Sequence, residues 1–148
     1  MIISGRIVED YDGLAAIGWS NYDCNSFADL MYEFAKENGI AYKHNKRLGG
    51  WRATIPNCNI SMYFTDKEMT FEEAQEKFLE QMFDAFDASG VFEMRKDRVG
   101  YSEWTITRYD LAECELGGHN LNDILLNHKG EYVNICVEVD KCGYDYMS

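Results

Sequence analysis

The chain is poor in basic residues and in proline, and it has no long hydrophobic run. No segment approaches the ~20 consecutive apolar residues that a membrane-spanning helix needs. The N-terminus lacks a basic region followed by an apolar stretch, so we expect no signal peptide. Pro56 is the only proline, and no low-complexity linker is present. Nothing therefore marks a domain boundary, and the length of 148 residues fits a single domain over 1–148.

Common cysteine and nucleotide-binding motifs are also missing. The odd number of cysteines and the lack of any Cys-x-x-Cys predict free thiols rather than a disulfide framework, at Cys24, Cys58, Cys114, Cys136 and Cys142. Without an export signal, these thiols favour a reducing, cytoplasmic compartment. The sequence contains neither a phosphate-binding glycine loop nor a dinucleotide fingerprint. We therefore expect no cofactor and no bound metal.

Two weaker combinations of residues are candidates for metal or catalytic chemistry. Zinc ligands could be drawn, at spacings that fit no standard finger, from Cys114, His119, His128, Cys136 and Cys142. A nucleophilic triad could combine Cys114 with His119 and Glu113, but triads assemble in space, so neighbours in sequence are no evidence for one. Ordinary core thiols and surface imidazoles explain these residues more simply, and an enzyme of unknown class is the third interpretation.

Acidic residues dominate the charge. The chain has 26 Asp and Glu but only 14 Lys and Arg, which gives a net charge of −12. Such a charge disfavours direct binding to nucleic acid or to an anionic membrane, and it favours a basic partner. Solubility alone is the simpler explanation of an acidic chain, so the positions of the charges decide between the two.

Hydrophobic periodicity predicts an α+β fold. We expect an antiparallel or mixed sheet of about five to six strands, packed against two main helices over 26–38 and 70–89 and a short third helix over 121–127. Ser26 and Gly39 are typical of the start and end of the first helix. Thr70 and Glu73 form a capping box for the second, which Gly90 would end.

The strands are predicted from alternating apolar residues. Residues 2–8, 40–65 and 133–139 are expected to be extended, the second with turns at Gly49-Gly50 and at Pro56-Asn57. A hairpin is predicted from 91–98 and 101–109. The segment 9–24 has the composition of an irregular acidic loop.

The predicted second helix carries a row of acids. At about 100° per residue, an arc of roughly 120° contains Glu72, Glu73, Glu76, Glu80, Asp84 and Asp87. Like charges four residues apart, and acids near a helix C-terminus, both cost stability. The row is therefore a candidate for docking on a basic, nucleic-acid-binding protein by nucleic-acid mimicry, which is the physics used by phage-type anti-restriction and anti-CRISPR inhibitors. A solvated helix face is the alternative.

A second segment stands out because it contains no acid. Residues 38–65 have no Asp or Glu, and their basic and aromatic residues include Lys43, His44, Lys46, Arg47, Trp51 and Arg52. Cations beside a Gly-Gly turn and a tryptophan could hold a phosphate and stack a base. The alternative function is thus binding of a phosphorylated ligand or nucleotide. The segment could also pair with the acids of a second copy, so self-association is compatible with the sequence.

Overall fold

The computed structural model describes residues 1–40, 42–45, 50–80, 84–99 and 109–139, with the backbone alone for 42–45, 50–51, 96–99 and 109–112. The strands are β1 (Ile2–Glu9), β2 (Ala15–Gly18), β3 (Cys24–Ser26), β4 (Tyr42–Asn45), β5 (Gly50–Thr65), β6 (Ala85–Val99), β7 (Tyr109–Leu116), β8 (His119–Asn120) and β9 (Tyr132–Val139). The helices are α1 (Phe27–Glu37), α2 (Phe71–Leu79) and α3 (Leu121–Leu126). None of the helices within these ranges is long and apolar enough to cross a membrane.

The strands form one antiparallel sheet. Eight of them follow the order β3-β2-β1-β9-β5-β6-β7-β8, and β4 pairs with β5. The sheet curls into a half-barrel. Strand β5 lies at its centre, because β6 pairs along one edge while β9 and β4 pair with successive parts of the other.

The core lies on one face of the sheet, which we call the inner face. Alternation along β9 turns Val133, Ile135 and Val137 inward, as the sequence predicts, and all three are fully buried. Helix α1 covers this face with Phe27 and Met31, and α3 adds its own leucines to the same cluster. Helix α2 lies on the opposite, outer face, where Phe71 and Phe78 pack on Tyr63 of β5.

The predicted first and third helices are confirmed. The Ser26 hydroxyl accepts a hydrogen bond from the Asp29 N–H at 3.2 Å, which caps the start of α1. Gly39 follows the helix with a φ of 68°, the left-handed conformation that ends many helices. Asn120 caps α3 in the same way, through the N–H of Asp123 at 3.2 Å.

The predicted fold is wrong about the second helix and about the number of strands. Helix α2 ends at Leu79 instead of continuing to Ser89, and β6 begins at Ala85. Residues 86, 88, 90, 92 and 94 face inward at every second position, a strand pattern that the helical spacing of Phe78, Met82 and Phe86 hid. The predicted loop 9–24 contains β2 and the first residue of β3. Within the described ranges the sheet therefore has nine strands rather than five or six.

One predicted turn and the bounds of the predicted hairpin also differ. Pro56-Asn57 is a β-bulge within the single 16-residue strand β5, where the register with β6 shifts between Ile55 and Cys58. Asn57 has a φ of 54°, which asparagine tolerates better than most residues. The predicted hairpin is present as the β6–β7 pair, but its second strand runs from Tyr109 to Leu116, and its turn lies outside the described residues.

Candidate functional site

The structure divides the predicted row of acids between two elements. Glu72, Glu73 and Glu76 are exposed on α2, and Glu80 is its C-terminal cap. Asp84 precedes β6 and Asp87 lies within it, so the prediction of one helical arc is wrong. The arguments from helix spacing and helix dipole therefore do not apply to Asp84 and Asp87.

Asp87 nevertheless remains on the same side of the molecule as the acids of α2. It pairs in register with Ser61 on the outer face, two residues along β5 from Tyr63, on which α2 packs. The Asn59 side-chain amide donates to Asp87 Oδ1 at 3.3 Å and to Ser89 Oγ at 2.5 Å. The first of these bonds links the Asp87 carboxylate to β5 on the outer face.

The outer face carries further acids that the sequence analysis missed. Glu113 and Glu115 alternate with the buried Cys114 and Leu116 of β7, so both glutamates point outward and are exposed. Glu93 of β6 lies directly opposite Glu115. Like charges in directly opposite positions destabilise a sheet. The period-two pattern Glu-Cys-Glu-Leu was the signal that could have found them.

We call these outward carboxylates the acidic face: Glu72, Glu73, Glu76, Glu80, Asp87, Glu93, Glu113, Glu115 and Glu138. The cations on the same side, within the described side chains, include Arg6, Arg52, Lys77 and Arg95. Arg95 pairs with Glu113 at 3.0 Å, and Lys77 pairs with Glu80 at 3.8 Å. Both pairs are largely exposed, so each contributes little stability. The face therefore keeps a strong excess of negative charge.

The shape of this face favours a broad contact over a small ligand. One hollow in it, lined by residues that include Arg52, Glu93, Arg95 and Glu115, has a volume of about 250 Å³. A second hollow, whose lining residues are largely polar and include Asn59, Ser89 and Glu138, has a volume of about 510 Å³. Pockets for small molecules usually measure about 300–1,000 Å³ and are mostly apolar. A charged, shallow surface of this kind is more typical of contact with a macromolecule.

The predicted basic segment is described only in part. Lys43 and His44 lie in β4, where the register places Lys43 opposite Arg52 and His44 opposite Trp51. Lys46 and Arg47 lie outside the described residues. Arg52 is exposed and lies opposite Arg95 on its other side. The backbone register thus aligns Lys43, Arg52 and Arg95 across three neighbouring strands.

The structure does not assemble the candidate triad. Glu113 and Cys114 are consecutive residues of β7 and face opposite sides of the sheet. Cys114 is fully buried, and burial raises the pKa of its thiol to about 12, so it stays protonated at neutral pH. His119 is exposed, and its ring meets the ring of Phe86 edge-on at 5.2 Å.

The candidate zinc ligands are also apart. His128 stacks on Phe64 at 3.8 Å between ring centroids, and its Nδ1 lies 2.7 Å from Glu131 Oε2. Cys136 is on the outer face, whereas Cys114 is in the core. Among the residues that the structure describes, no three His, Cys, Asp or Glu side chains gather as a metal site requires. The fifth cysteine, Cys142, lies outside those residues.

Comparison with protein-family models, with curated proteins and with solved structures finds no match for this chain.

Proposed function

We propose that the protein is a non-enzymatic binding protein, an inhibitor or adaptor, which docks its acidic face on a basic, nucleic-acid-binding protein. One observation carries the proposal: Glu93 and Glu115 lie directly opposite each other on a sheet face that also bears the exposed glutamates of α2. Opposite like charges cost on the order of a few tenths of a kcal/mol or more. A cationic partner would attract both carboxylates and so offset their mutual repulsion.

Charge density supports the proposal. Residues two apart on a strand are about 6.8 Å apart, and neighbouring strands about 4.8 Å. Glu93, Glu113 and Glu115 therefore form a closely spaced cluster on the same outer face as α2. Clustered charges raise the rate of association with an oppositely charged protein and select against acidic ones. Occupation of a basic groove by such a surface would exclude nucleic acid from it.

The test compares two variants that change the net charge equally. Glu76→Lys with Glu115→Lys reverses two charges on the acidic face, whereas Glu33→Lys with Glu37→Lys reverses two exposed charges on α1, which covers the inner face. Each variant is immobilised and exposed to nuclease-treated lysate of the native host, and bound proteins are identified by mass spectrometry. A captured protein is then purified, and its affinity is measured at low and high salt.

We expect the wild type and the α1 variant to capture the same basic protein, and added DNA or RNA to displace it. The acidic-face variant should bind it at least about tenfold more weakly, equivalent to about 1.4 kcal/mol. The affinity should fall between about 50 and 300 mM salt because screening weakens charge attraction. Equal capture by all three proteins would contradict the proposal.

A second candidate function has one observation in its favour. The aligned cations Lys43, Arg52 and Arg95 include two arginines in directly opposite positions, which a bound phosphate would stabilise. Titration with ATP and with inorganic pyrophosphate tests this function. Arg52→Ala should remove binding, and Lys67→Ala, which removes an exposed cation elsewhere, should leave it unchanged. No heat of binding to the wild type would exclude it.

A further inference from the structure

Among the described residues, no strand lies beside one edge of β1 over the first half of its length. Met1 and Val137 exchange both backbone hydrogen bonds, at 2.8 Å each. In an antiparallel pair such residues alternate with residues whose N–H and C=O groups point the other way. Ile2 and Ser4 lie opposite Cys136 and Asn134 in this ladder, so their backbone groups point away from β9.

The strand on the other side of β1 is β2, and it lies beside only the second half of β1. Strand β2 pairs with β1 only from Ile7 to Glu9 and ends at Gly18, while β3 pairs with its other edge. Within the part of the chain that the structure describes, no strand pairs with the outward edge of Ile2 and Ser4. Exposed edges of this kind are usually blocked by lysine, proline or a bulge. Ile2 and Ser4 provide none of these.

A groove runs along this open edge. It has a volume of about 520 Å³, and its apolar lining includes Ile2, Ile17, Trp19, Leu30 and Tyr132. Trp19 is 81% exposed and Ile2 is 54% exposed, although both are large apolar side chains. Tryptophan is enriched among the residues that dominate binding energy at protein interfaces. The groove therefore combines apolar surface with main-chain groups that point away from β9 and meet no strand among the described residues.

The main-chain groups indicate the class of ligand. Outward N–H and C=O groups that repeat every second residue match an extended polypeptide, which binds by adding a strand to the sheet. Side chains on one face of that added strand would enter the space beside Trp19 and Leu30. Small molecules do not present this repeat.

Charge distinguishes a foreign segment from a second copy. Two copies of a chain with a net charge of −12 repel each other, whereas a basic segment is attracted to the molecule as a whole, and Glu68 lines the groove together with Arg6. We propose that the β1 groove binds an extended, basic segment of a partner protein by strand addition. This inference rests on the proposed function only for the sign of the partner's charge, because the hydrogen bonding and the groove are independent of the acidic face.

The probe is a capped synthetic peptide, Lys-Val-Thr-Val-Thr-Val-Lys, which places three valines on one face of a strand. The matched control has the same sequence with alternate amides N-methylated, which removes the hydrogen bonds that a strand needs. Binding is followed by NMR, through the backbone amides of Ile2 and Ser4 and the indole N–H of Trp19. Hydrogen exchange of the same two amides is measured with and without peptide.

We expect the peptide to shift all three signals and to slow exchange of the Ile2 and Ser4 amides by about tenfold at saturation, since each amide gains a hydrogen-bond partner. The amides of Ile3 and Gly5, which face β9, should change little. Equal binding of the N-methylated peptide, or no change at Ile2 and Ser4, would overturn the inference.

Two variants at the edge complete the test. Ile2→Pro removes one outward N–H and leaves the ladder to β9 intact, because proline is tolerated at an edge where its nitrogen faces away from the neighbouring strand. Ile2→Val keeps the N–H and serves as the control. Only Ile2→Pro should abolish peptide binding.

Sedimentation of the wild type and of Ile2→Pro distinguishes a second copy as the occupant. A dimer that Ile2→Pro dissociates would mean that β1 pairs with β1 of another copy, which would overturn the inference. The Glu76→Lys, Glu115→Lys variant separates the two proposals, because peptide protection of Ile2 and Ser4 should persist in it even if the acidic face binds nothing.

Discussion

Cys58 and Cys114 are buried thiols, and Asp29 lies close enough to Cys114 to disfavour its thiolate further. Burial raises the pKa of Cys58 to about 11 and that of Cys114 to about 12, from an ordinary value near 9. In the unfolded chain these thiols lose their protons near the ordinary value, whereas in the folded protein they keep them to higher pH. Their contribution to stability is therefore complete below pH 9 and is lost as the pH rises toward the folded-state values.

This difference gives a prediction for stability against pH. Between pH 9 and 11 each buried thiol should lower the free energy of unfolding by at most about 1.4 kcal/mol per pH unit. Denaturant titrations at several pH values would measure the slope. Cys114→Ala should reduce it clearly, and Cys136→Ala, at a half-buried thiol, should reduce it less. A slope unchanged by Cys114→Ala would show that the thiol is accessible to water.

At the scale of elements, α2 depends on the sheet beneath it. The helix has nine residues, which is too short to be stable alone. Phe71 and Phe78 hold it through ring contacts with Tyr63, at 5.5 and 5.4 Å between centroids. The Asn134 amide adds a hydrogen bond to the Met69 carbonyl at 3.0 Å, just before the helix.

Removal of the central ring should release the helix from the sheet. In Tyr63→Ala we expect amides 71–79 to lose protection against hydrogen exchange and the protein to lose about 2–4 kcal/mol of stability. Leu79→Ala is the matched control, because Leu79 lies on the same helix but is 77% exposed. Continued protection of 71–79 in Tyr63→Ala would show that other contacts hold the helix.

The limits of prediction from sequence are clearest at these elements. The helices α1 and α3 and the strand β9 were predictable because each has one clear period or a capping residue. The continuation of α2 was mispredicted because Phe78, Met82 and Phe86 fit helical spacing, while Phe86, Phe92 and Met94 fit strand alternation. Local pattern could not decide between them, since pairing with β5 selects the strand. The alternating pattern of β7 could have shown that Glu113 and Glu115 point the same way. That they lie beside Glu93 follows only from the pairing of β6 with β7.

For the whole molecule, the net charge of −12 implies repulsion within the folded state. Added salt screens such repulsion, with a screening length of about 10 Å at 0.1 M. The protein should therefore become more stable as NaCl rises from about 10 to 300 mM, which thermal unfolding would show. A melting temperature that falls over this range would mean that attractive ion pairs dominate.

One substitution connects this repulsion to function. Glu115→Gln removes the like-charge neighbour of Glu93, so it should raise stability by about 0.2–1 kcal/mol at low salt and less at high salt. The same change should weaken binding of the basic partner. Glu37→Gln on α1 is the control of equal charge. Lower stability of Glu115→Gln would indicate that its carboxylate has a favourable partner.

The bulge at Pro56-Asn57 determines which changes β5 tolerates. Before it, odd-numbered residues such as Ala53 and Ile55 face the core, and after it even-numbered residues such as Cys58 and Ile60 do. The extra residue changes the parity of the strand. Deletion of Asn57 would remove the bulge, so that the alternation of inward and outward side chains would run unbroken along β5. One half of the strand would then turn its apolar side chains to water and its polar ones to the core. Loss of one residue here therefore exchanges the two faces of half the strand, whereas substitution of Arg52 or Thr54 alters only the surface.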